Sequence, residues 1–185
     1  ILANPAGWSP RFRKLLHKPK GKLLWPFHQH SPKLTSAGTL LVYDNGNYRA
    51  PAFKRKRPPS RNRTRVVEYA IDEKNRTVKQ LWEYHGDKPY LCPLFGDVDR
   101  LPKTGNILIT DGGLITDRRN RRTDRIPADR QRARIVELDR KDSDAKVFEL
   151  RIGRDKAGRF GWSVYRSERL PSLYHRPPGK RRSTP

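Results

Sequence analysis

The stretch Leu40–Gly46 (LLVYDNG) returns later in the chain as Ile107–Gly113 (ILITDGG). Each stretch is a short run rich in aliphatic and β-branched residues that ends in Asp and Gly, which is typical of a strand running into a turn. Each is followed by a long polar loop and then by a second apolar run, Arg65–Tyr69 (RVVEY) and Arg134–Leu138 (RIVEL) respectively. The sequence therefore predicts the same strand–loop–strand unit twice, in the same order.

Further short strands are predicted on both sides of this unit, because runs rich in Val, Ile, Tyr and Trp alternate with turn signals. In the first copy the predicted strands are Phe27–Leu34, Thr39–Tyr43, Arg65–Ile71 and Thr77–Tyr84. No window shows a sustained helical period with caps, so we expect little helix beyond one short segment at Ser9–Leu16.

Four antiparallel strands connected in sequence order describe one blade of a β-propeller. We therefore predict an all-β fold, a partial β-propeller of two four-stranded antiparallel blades plus part of a third. A β-sandwich also has short strands and frequent turns, but it does not predict the same signature twice at nearly constant spacing. The predicted divisions are a connecting segment at 1–26, blades at 27–95 and 96–161, the start of a closing blade at 162–174, and a basic disordered tail at 175–185.

The composition of the chain is strongly basic. Among 185 residues, 42 are Lys or Arg and 19 are Asp or Glu, which gives a formal net charge of +23. Such a balance is typical of a protein with a polyanion partner, or of a solvated Arg-rich surface without one. Cys92 is the only cysteine, which excludes an internal disulfide. The absence of Met indicates a fragment or a processed product, and the apolar runs are too short to span a bilayer.

The repeat aligns three ionisable residues at equivalent strand beginnings. His30, Asp97 and Arg166 each stand four residues before a matching leucine. In a propeller the first strand of each blade lines the central channel, so we expect these side chains to meet near its axis. Converging ionisable groups can bind and process a charged ligand. The structural alternative is that each residue is a solvated strand end.

Positive charge is concentrated in the two long loops, 47–64 and 114–133. The blade order places both loops on the face that carries His30, where a basic rim would attract anions. Nucleic acid is one such anion, but only Tyr48 and Phe53 are available for base stacking, and no zinc-finger, KH or RRM signature is present. Loose binding to a phosphate backbone stays an alternative, because it needs only charge. The cations of the loops are Arg49, Lys54, Arg55, Lys56, Arg57, Arg61 and Arg63 in the first, and Arg118, Arg119, Arg121, Arg122, Arg125, Arg130 and Arg132 in the second.

Motifs for other chemistry are absent from the sequence. It contains no Gly-rich phosphate loop and no Gly-x-Ser-x-Gly stretch. His28 and His30 point to the same face of a strand, but no third ligand is evident, so we predict neither a metal site nor a cofactor.

Several stretches together resemble the bacterial arylsulfate sulfotransferase family, the enzymes that do not use PAPS. They are Gln29–His30, Gly38–Leu40, Asp44–Arg49, Arg65–Tyr69, Gln80–Tyr84, Gly96–Asp97, Leu101–Pro102, Gly105–Asn106, Trp162–Arg166 and Glu168–Leu173. The resemblance runs from Gly7 to Tyr174. It implies a six-bladed propeller with its active site in the central channel and a periplasmic or otherwise extracytoplasmic location. It also implies transfer of a sulfuryl group from a phenolic sulfate ester to another phenol, through a transiently sulfurylated His.

The resemblance carries over to individual positions. His30, after Gln29, matches a channel His of the family, and Arg49 matches its sulfuryl-binding Arg. The family's nucleophilic His is expected about one blade later, where Tyr90–Asp99 contains no His and Asp97 stands at the channel position. We therefore expect catalysis by His30 and Asp97, and substrate binding by Arg49, Arg166, His28 and Asn45. Three interpretations stay open: His30 is the nucleophile, the nucleophilic His comes from N-terminal blades outside this sequence, or the chemistry differs from that of the family. The alternative is a non-catalytic propeller module that binds a polyanion, either a sulfated polysaccharide or a nucleic acid.

Overall fold

The computed structural model describes residues 1–50, 52–126, 130–142, 144–153, 161–172 and 174. Within these ranges the chain is all-β with almost no helix. The predicted helix at Ser9–Leu16 is reduced to one turn, α1 (Pro10–Arg13), and Pro59–Arg61 forms a 3-10 turn. The predicted tail at 175–185 lies outside the described residues. Among the residues that are described, none of the helices is long and apolar enough to cross a membrane.

The four strands predicted in the first copy are present, each within two residues of the predicted ends. The strands of the described residues are β1 (Lys18–Pro19), β2 (Gln29–Leu34), β3 (Leu40–Asp44), β4 (Arg65–Asp72), β5 (Thr77–Tyr84), β6 (Asp97–Arg100), β7 (Ile107–Thr116), β8 (Arg130–Asp139) and β9 (Ala145–Gly153).

These strands form two sheets, ordered β1-β5-β4-β3-β2 and β6-β7-β8-β9. All neighbours are antiparallel except β1, which lies parallel to β5 and was not predicted. It arises where the backbone N–H groups of Lys18 and Lys20 donate to the carbonyls of Arg76 and Val78, so that the N-terminal segment covers the edge of β5. Strands β2–β5 and β6–β9 are each a four-stranded meander, and in the described residues they form two open sheets.

The second and third strands of each meander pair in the same register. Leu40 lies opposite Tyr69 in the first sheet, and Ile107 lies opposite Leu138 in the second. The alignment of the two sequence repeats matches Leu40 with Ile107 and Tyr69 with Leu138. Residues at matching positions of the repeats are therefore paired in the same way in both sheets.

Buried ion pairs also recur at matching positions. Asp44 at the end of β3 binds the Nε of Arg65 at 2.8 Å, and Asp111 in β7 binds the Nη2 of Arg134 at 2.5 Å. Both carboxylates are fully buried. Each pair therefore ties the second strand of its sheet to the third.

The main core lies between the two sheets. Because side chains alternate along a strand, Leu41 and Tyr43 of β3 face the second sheet, while Val42 faces a smaller cluster under the N-terminal segment. The Tyr43 hydroxyl donates to Asp111 at 2.7 Å. Burial, and then the nearby Asp111 carboxylate, raises the pKa of Tyr43 well above its ordinary value. The main core consists of Leu41, Tyr43, Val66, Cys92, Val98, Ile107, Ile109, Val136 and Leu138.

Strand β7 is longer than predicted. The sequence suggested a turn at Gly112–Gly113 and a loop from Leu114, but the strand continues to Thr116. A Cβ on Gly112 would overlap the carbonyl oxygen of Val164, so this glycine allows close approach of the later chain within an intact strand. A register shift between Asp111 and Leu114 marks a bulge. The second basic loop is therefore shorter than predicted, between β7 and β8.

Candidate functional site

Side chains of β2 and β6 meet where the two sheets adjoin, and we call the group His30, Ser31, Lys33, Asp97 and Asp99 the seam. The Ser31 hydroxyl donates to the carboxylate of Asp97, which is only 4% exposed, while its chain neighbour His30 is half-buried. Ser31 has a φ of +50°, and the ladder shifts register between His30 and Lys33. Such bulges redirect side chains. The structure thus brings two of the three aligned strand beginnings close together.

Lys33 bridges the two carboxylates of the seam. Its Nζ lies 2.9 Å from Asp97 Oδ1 and 2.5 Å from Asp99 Oδ1. Burial by itself lowers the pKa of Lys33, but the hydrogen bonds to Asp99 and Asp97 outweigh it and raise the pKa above its ordinary value. The other oxygen of Asp97, Oδ2, is buried and has no hydrogen-bond partner among the described residues. Buried polar atoms without a partner are rare in proteins, so this oxygen is a notable feature of the seam.

Asn45 connects the imidazole of His30 to the segment between β5 and β6. Its Oδ1 lies 2.7 Å from His30 Nδ1, and its Nδ2 lies 2.8 Å from the carbonyl oxygen of Cys92 and 2.6 Å from that of Phe95. Asn45 has no exposed surface. The next residue, Gly46, has a φ of +72°, and a Cβ there would overlap the Arg63 carbonyl. Asn45 therefore contacts the imidazole from inside the protein.

Arg49, the predicted sulfuryl-binding arginine, is buried in the structure. Only 5% of the residue is exposed. Its Nη1 donates to the carbonyl of Trp25 at 2.6 Å and its Nη2 to Asp44 Oδ2 at 2.8 Å. The guanidinium therefore holds the end of β3 to the N-terminal segment. These bonds use two of its five N–H groups, and its burial leaves little surface for a sulfuryl group to reach the others.

His28 and Arg166 are exposed and are not brought into contact with His30 in the described residues. The ring of His28 packs edge-on against Tyr48, with centroids 5.2 Å apart. The guanidinium of Arg166 pairs with Glu168 at 2.9 Å, and both side chains are more than half exposed. The chain beside Arg166 nevertheless follows β7, since Ser167 hydrogen-bonds Thr110 at 2.5 Å.

The two basic loops touch each other. Arg122 of the second loop donates to the carbonyl oxygens of Asn62 and Ser60 in the first, at 2.7 and 2.6 Å. Lys56 lies 3.6 Å from Asp124. The first loop begins beside the start of β2, because Gly46 N–H donates to the Phe27 carbonyl. The joined loops therefore lie at the end of the first sheet where His30 is found, as the sequence predicts for that loop.

Comparison with known families gives one match that covers most of the chain. A family model described as Arylsulfotransferase (ASST) matches residues 1–165. The chain belongs to the arylsulfotransferase family. The resemblance of the sequence motifs is thereby confirmed.

Two curated arylsulfotransferases are similar to this chain. The arylsulfate sulfotransferase AssT of Lelliottia amnigena is 38% identical over 110 residues, and the enzyme of the same name from Escherichia coli O6:H1 is 34% identical over 110 residues. Each alignment covers 49% of this chain and 18% of the relative. The chain therefore spans less than a fifth of the length of these relatives.

The sequence analysis missed three members of the seam, Ser31, Lys33 and Asp99. Lys33 and Asp99 carry opposite charges on first strands that the repeat makes equivalent, and that complementarity was a usable signal. Ser31 gave none, because its contact depends on the bulge. In the described ranges no group of three or more His, Cys, Asp or Glu side chains is arranged to hold a metal ion.

Proposed function

We propose that this chain is part of an arylsulfate sulfotransferase that moves a sulfuryl group from a phenolic sulfate ester to a phenolic acceptor through His30. The observation that carries the proposal is the seam: a half-buried imidazole held by Asn45, one residue from the serine that binds the buried Asp97. Family membership supports the reaction class. An extracytoplasmic location, as in the family, is part of the same proposal.

The proposal includes a propeller, with the two sheets as consecutive blades. Two observations support it: the sheets have the same meander order, and their second and third strands pair in the same register. A third observation is that each sheet forms an ion pair with the segment that follows it in the chain. Glu68 of the first sheet binds Arg100 at 2.8 Å, and Glu137 of the second binds Arg169. The segment around Arg169 would then begin a further blade.

Within this site, His30 is the group that receives or passes on the sulfuryl group, and Asp97 orients the acceptor phenol or takes its proton. Of the two predicted arginines, Arg166 is the more readily available to a sulfate oxygen. Its pair with Glu168 is solvent-exposed, and such pairs contribute about 0–1 kcal/mol. Arg49 is buried against Asp44, so releasing it costs more.

The test is a transfer assay on the protein with a chromogenic aryl sulfate as donor and phenol as acceptor. We expect release of the coloured phenolate to depend on phenol, formation of phenyl sulfate, and a mass gain of one sulfuryl group on the peptide that contains His30 when the acceptor is left out. Release that is independent of phenol, with inorganic sulfate as product, would indicate hydrolysis. No release at all would contradict the proposed transfer.

A second candidate function rests on the joined loops. We propose that they bind a sulfated polysaccharide, whether or not the chain is also catalytic. Lys54, Arg55 and Arg57 are exposed on the first loop, and Arg121 and Arg125 are exposed on the second. Guanidinium groups pair well with sulfate oxygens. Nucleic acid is less favoured because, in the described parts of the loops, Phe53 alone is an exposed aromatic side chain.

Changing Lys54, Arg55 and Arg57 together to Gln should lower the salt concentration at which the protein elutes from immobilised heparin, since fewer counterions are released on binding. The matched control changes Lys18, Lys20 and Lys22 to Gln. This control variant also loses three positive charges, but near β1, beside the turn between β4 and β5. It should elute at a salt concentration close to that of the wild type. Equal shifts in both variants would show that only net charge matters. Tighter retention on duplex DNA than on heparin would favour nucleic acid.

A further inference from the structure

The side-chain amide of Asn45 can have only one orientation. Its Nδ2 donates to two carbonyl oxygens, those of Cys92 and Phe95. A flipped amide would lose both hydrogen bonds and would place its own oxygen against two others. Because Asn45 has no exposed surface, this carries a large penalty for unpaired polar groups. The oxygen of Asn45 must therefore face His30.

The backbone around Asn45 is also fixed. The Thr64 hydroxyl donates to the Asn45 carbonyl at 2.9 Å and accepts the Cys92 N–H at 2.7 Å. Asn47 donates to the Pro93 carbonyl at 2.7 Å. The two carbonyls that orient the amide thus belong to a segment tied to the same turn, and the 2.7 Å contact between Asn45 Oδ1 and His30 Nδ1 has a rigid support.

We propose that Asn45 is a positioning residue that holds neutral His30 with its proton on Nδ1, and so presents Nε2 as the reactive atom. An amide oxygen only accepts hydrogen bonds, so the nitrogen facing it must carry the proton. The remaining nitrogen then carries the lone pair. Among the described residues, His30 Nε2 has no hydrogen-bond partner of its own. This assignment replaces the predicted role of Asn45 in binding substrate.

The consequence for the chemistry rests on the proposed function. The lone pair of Nε2 attacks the sulfur of the aryl sulfate and forms the N–S bond, while the S–O bond to the aryl group breaks and its electron pair leaves on the phenolate oxygen. The ring then gains positive charge, which strengthens the hydrogen bond from Nδ1–H to Asn45. In the second half the acceptor oxygen attacks sulfur, its proton passes to a base such as Asp97, and the N–S electron pair returns to Nε2.

The tautomer is measured directly by NMR of the protein with 15N-labelled histidine, at a pH where the ring of His30 is neutral. Long-range 1H–15N correlations distinguish a protonated ring nitrogen from an unprotonated one. We expect Nδ1 of His30 to be protonated and Nε2 to be unprotonated. A proton on Nε2 would overturn the proposal. This readout does not require transfer activity, so it stands or falls separately from the proposed function.

Asn45→Ala should release the tautomer and lower kcat about 10- to 100-fold, as expected for loss of one hydrogen bond to a charged group, with KM changed little. The matched control is Asn47→Ala, which loses a similar bond to the same segment but does not touch His30. Because the Thr64 hydroxyl still ties Cys92 to the carbonyl of Asn45, this variant should keep the Nδ1–H tautomer and a kcat near that of the wild type. The proposal would be contradicted if both variants showed the same change of tautomer. It would also be contradicted if Asn45→Ala kept the tautomer of the wild type.

Folding of both variants is checked at the only thiol. Cys92 is fully buried, and burial, followed by the nearby Asp111 carboxylate, raises its pKa to about 12. A folded protein should therefore react slowly with a thiol reagent at neutral pH. Only variants that retain this protection are compared for tautomer and kcat.

Discussion

Replacing His30 with alanine is expected to lower the rate of sulfuryl transfer by about a thousand-fold or more, the effect typical of removing a nucleophile or general base. The reason is that the other side-chain nitrogens described beside the half-buried imidazole are already hydrogen-bonded. Lys33 is held by Asp97 and Asp99, and Asn45 is held by two carbonyls. None of them can take over transfer through a nitrogen lone pair.

The measurement is the initial rate of phenyl sulfate formation at saturating aryl sulfate and phenol. The control is His85→Ala, which removes another imidazole just beyond the end of β5. This change should leave the rate within about twofold, because His85 has no part in the proposed transfer. Partial recovery of the His30→Ala variant by added imidazole would support a role for the ring itself. A His30→Ala variant with the wild-type rate would remove His30 from catalysis.

The largest loss of stability is expected from Asp44→Ala. The Asp44 carboxylate is fully buried and binds Arg49 and Arg65, each at 2.8 Å, as well as the N–H of Phe27. Arg65 is itself fully buried. Among the described residues, removing the carboxylate leaves the buried guanidinium of Arg49 without a carboxylate partner and that of Arg65 with Glu83 alone. Breaking a buried pair in this way costs about 3–5 kcal/mol. That is a large share of the ~5–15 kcal/mol by which a domain is stable.

Urea unfolding followed by the fluorescence of the four tryptophans measures this change. The matched control is Asp87→Ala, because Asp87 also pairs with a cation, Lys146 at 2.9 Å, but is 72% exposed. Its loss should cost no more than about 1 kcal/mol, the upper end for surface pairs. Similar midpoints for the two variants would mean that the buried network does not hold β3 and β4 together.

Much of the fold could be predicted from the sequence because its strands are short, separated by turn signals and repeated. The meander order followed from the order of LLVYDNG and RVVEY and their second copies. What could not be predicted depends on contacts between distant segments. Strand β1 exists because the N-terminal segment lies against β5, and β7 continues past Gly112, where the chain at Val164 packs against the strand.

The candidate site was predicted less completely. Aligning the repeats was enough to place His30 and Asp97 near each other, since equivalent strand beginnings lie side by side. The environment of Arg49 could not be read from its type, because an arginine beside a turn can point outward or, as here, inward to Asp44. Whether these residues act on a sulfate ester stays a prediction.

The bonds that join the two sheets have a further consequence for how the chain folds. Tyr43 shares a buried hydrogen bond with Asp111, Arg100 neutralises Glu68, and Lys33 is held by Asp97, so each sheet supplies partners for polar groups of the other. Separating the sheets would break these bonds and expose to water the apolar core that lies between them. The two sheets should accordingly unfold as a single cooperative unit, and the geometry around the imidazole lasts only as long as that unit remains whole.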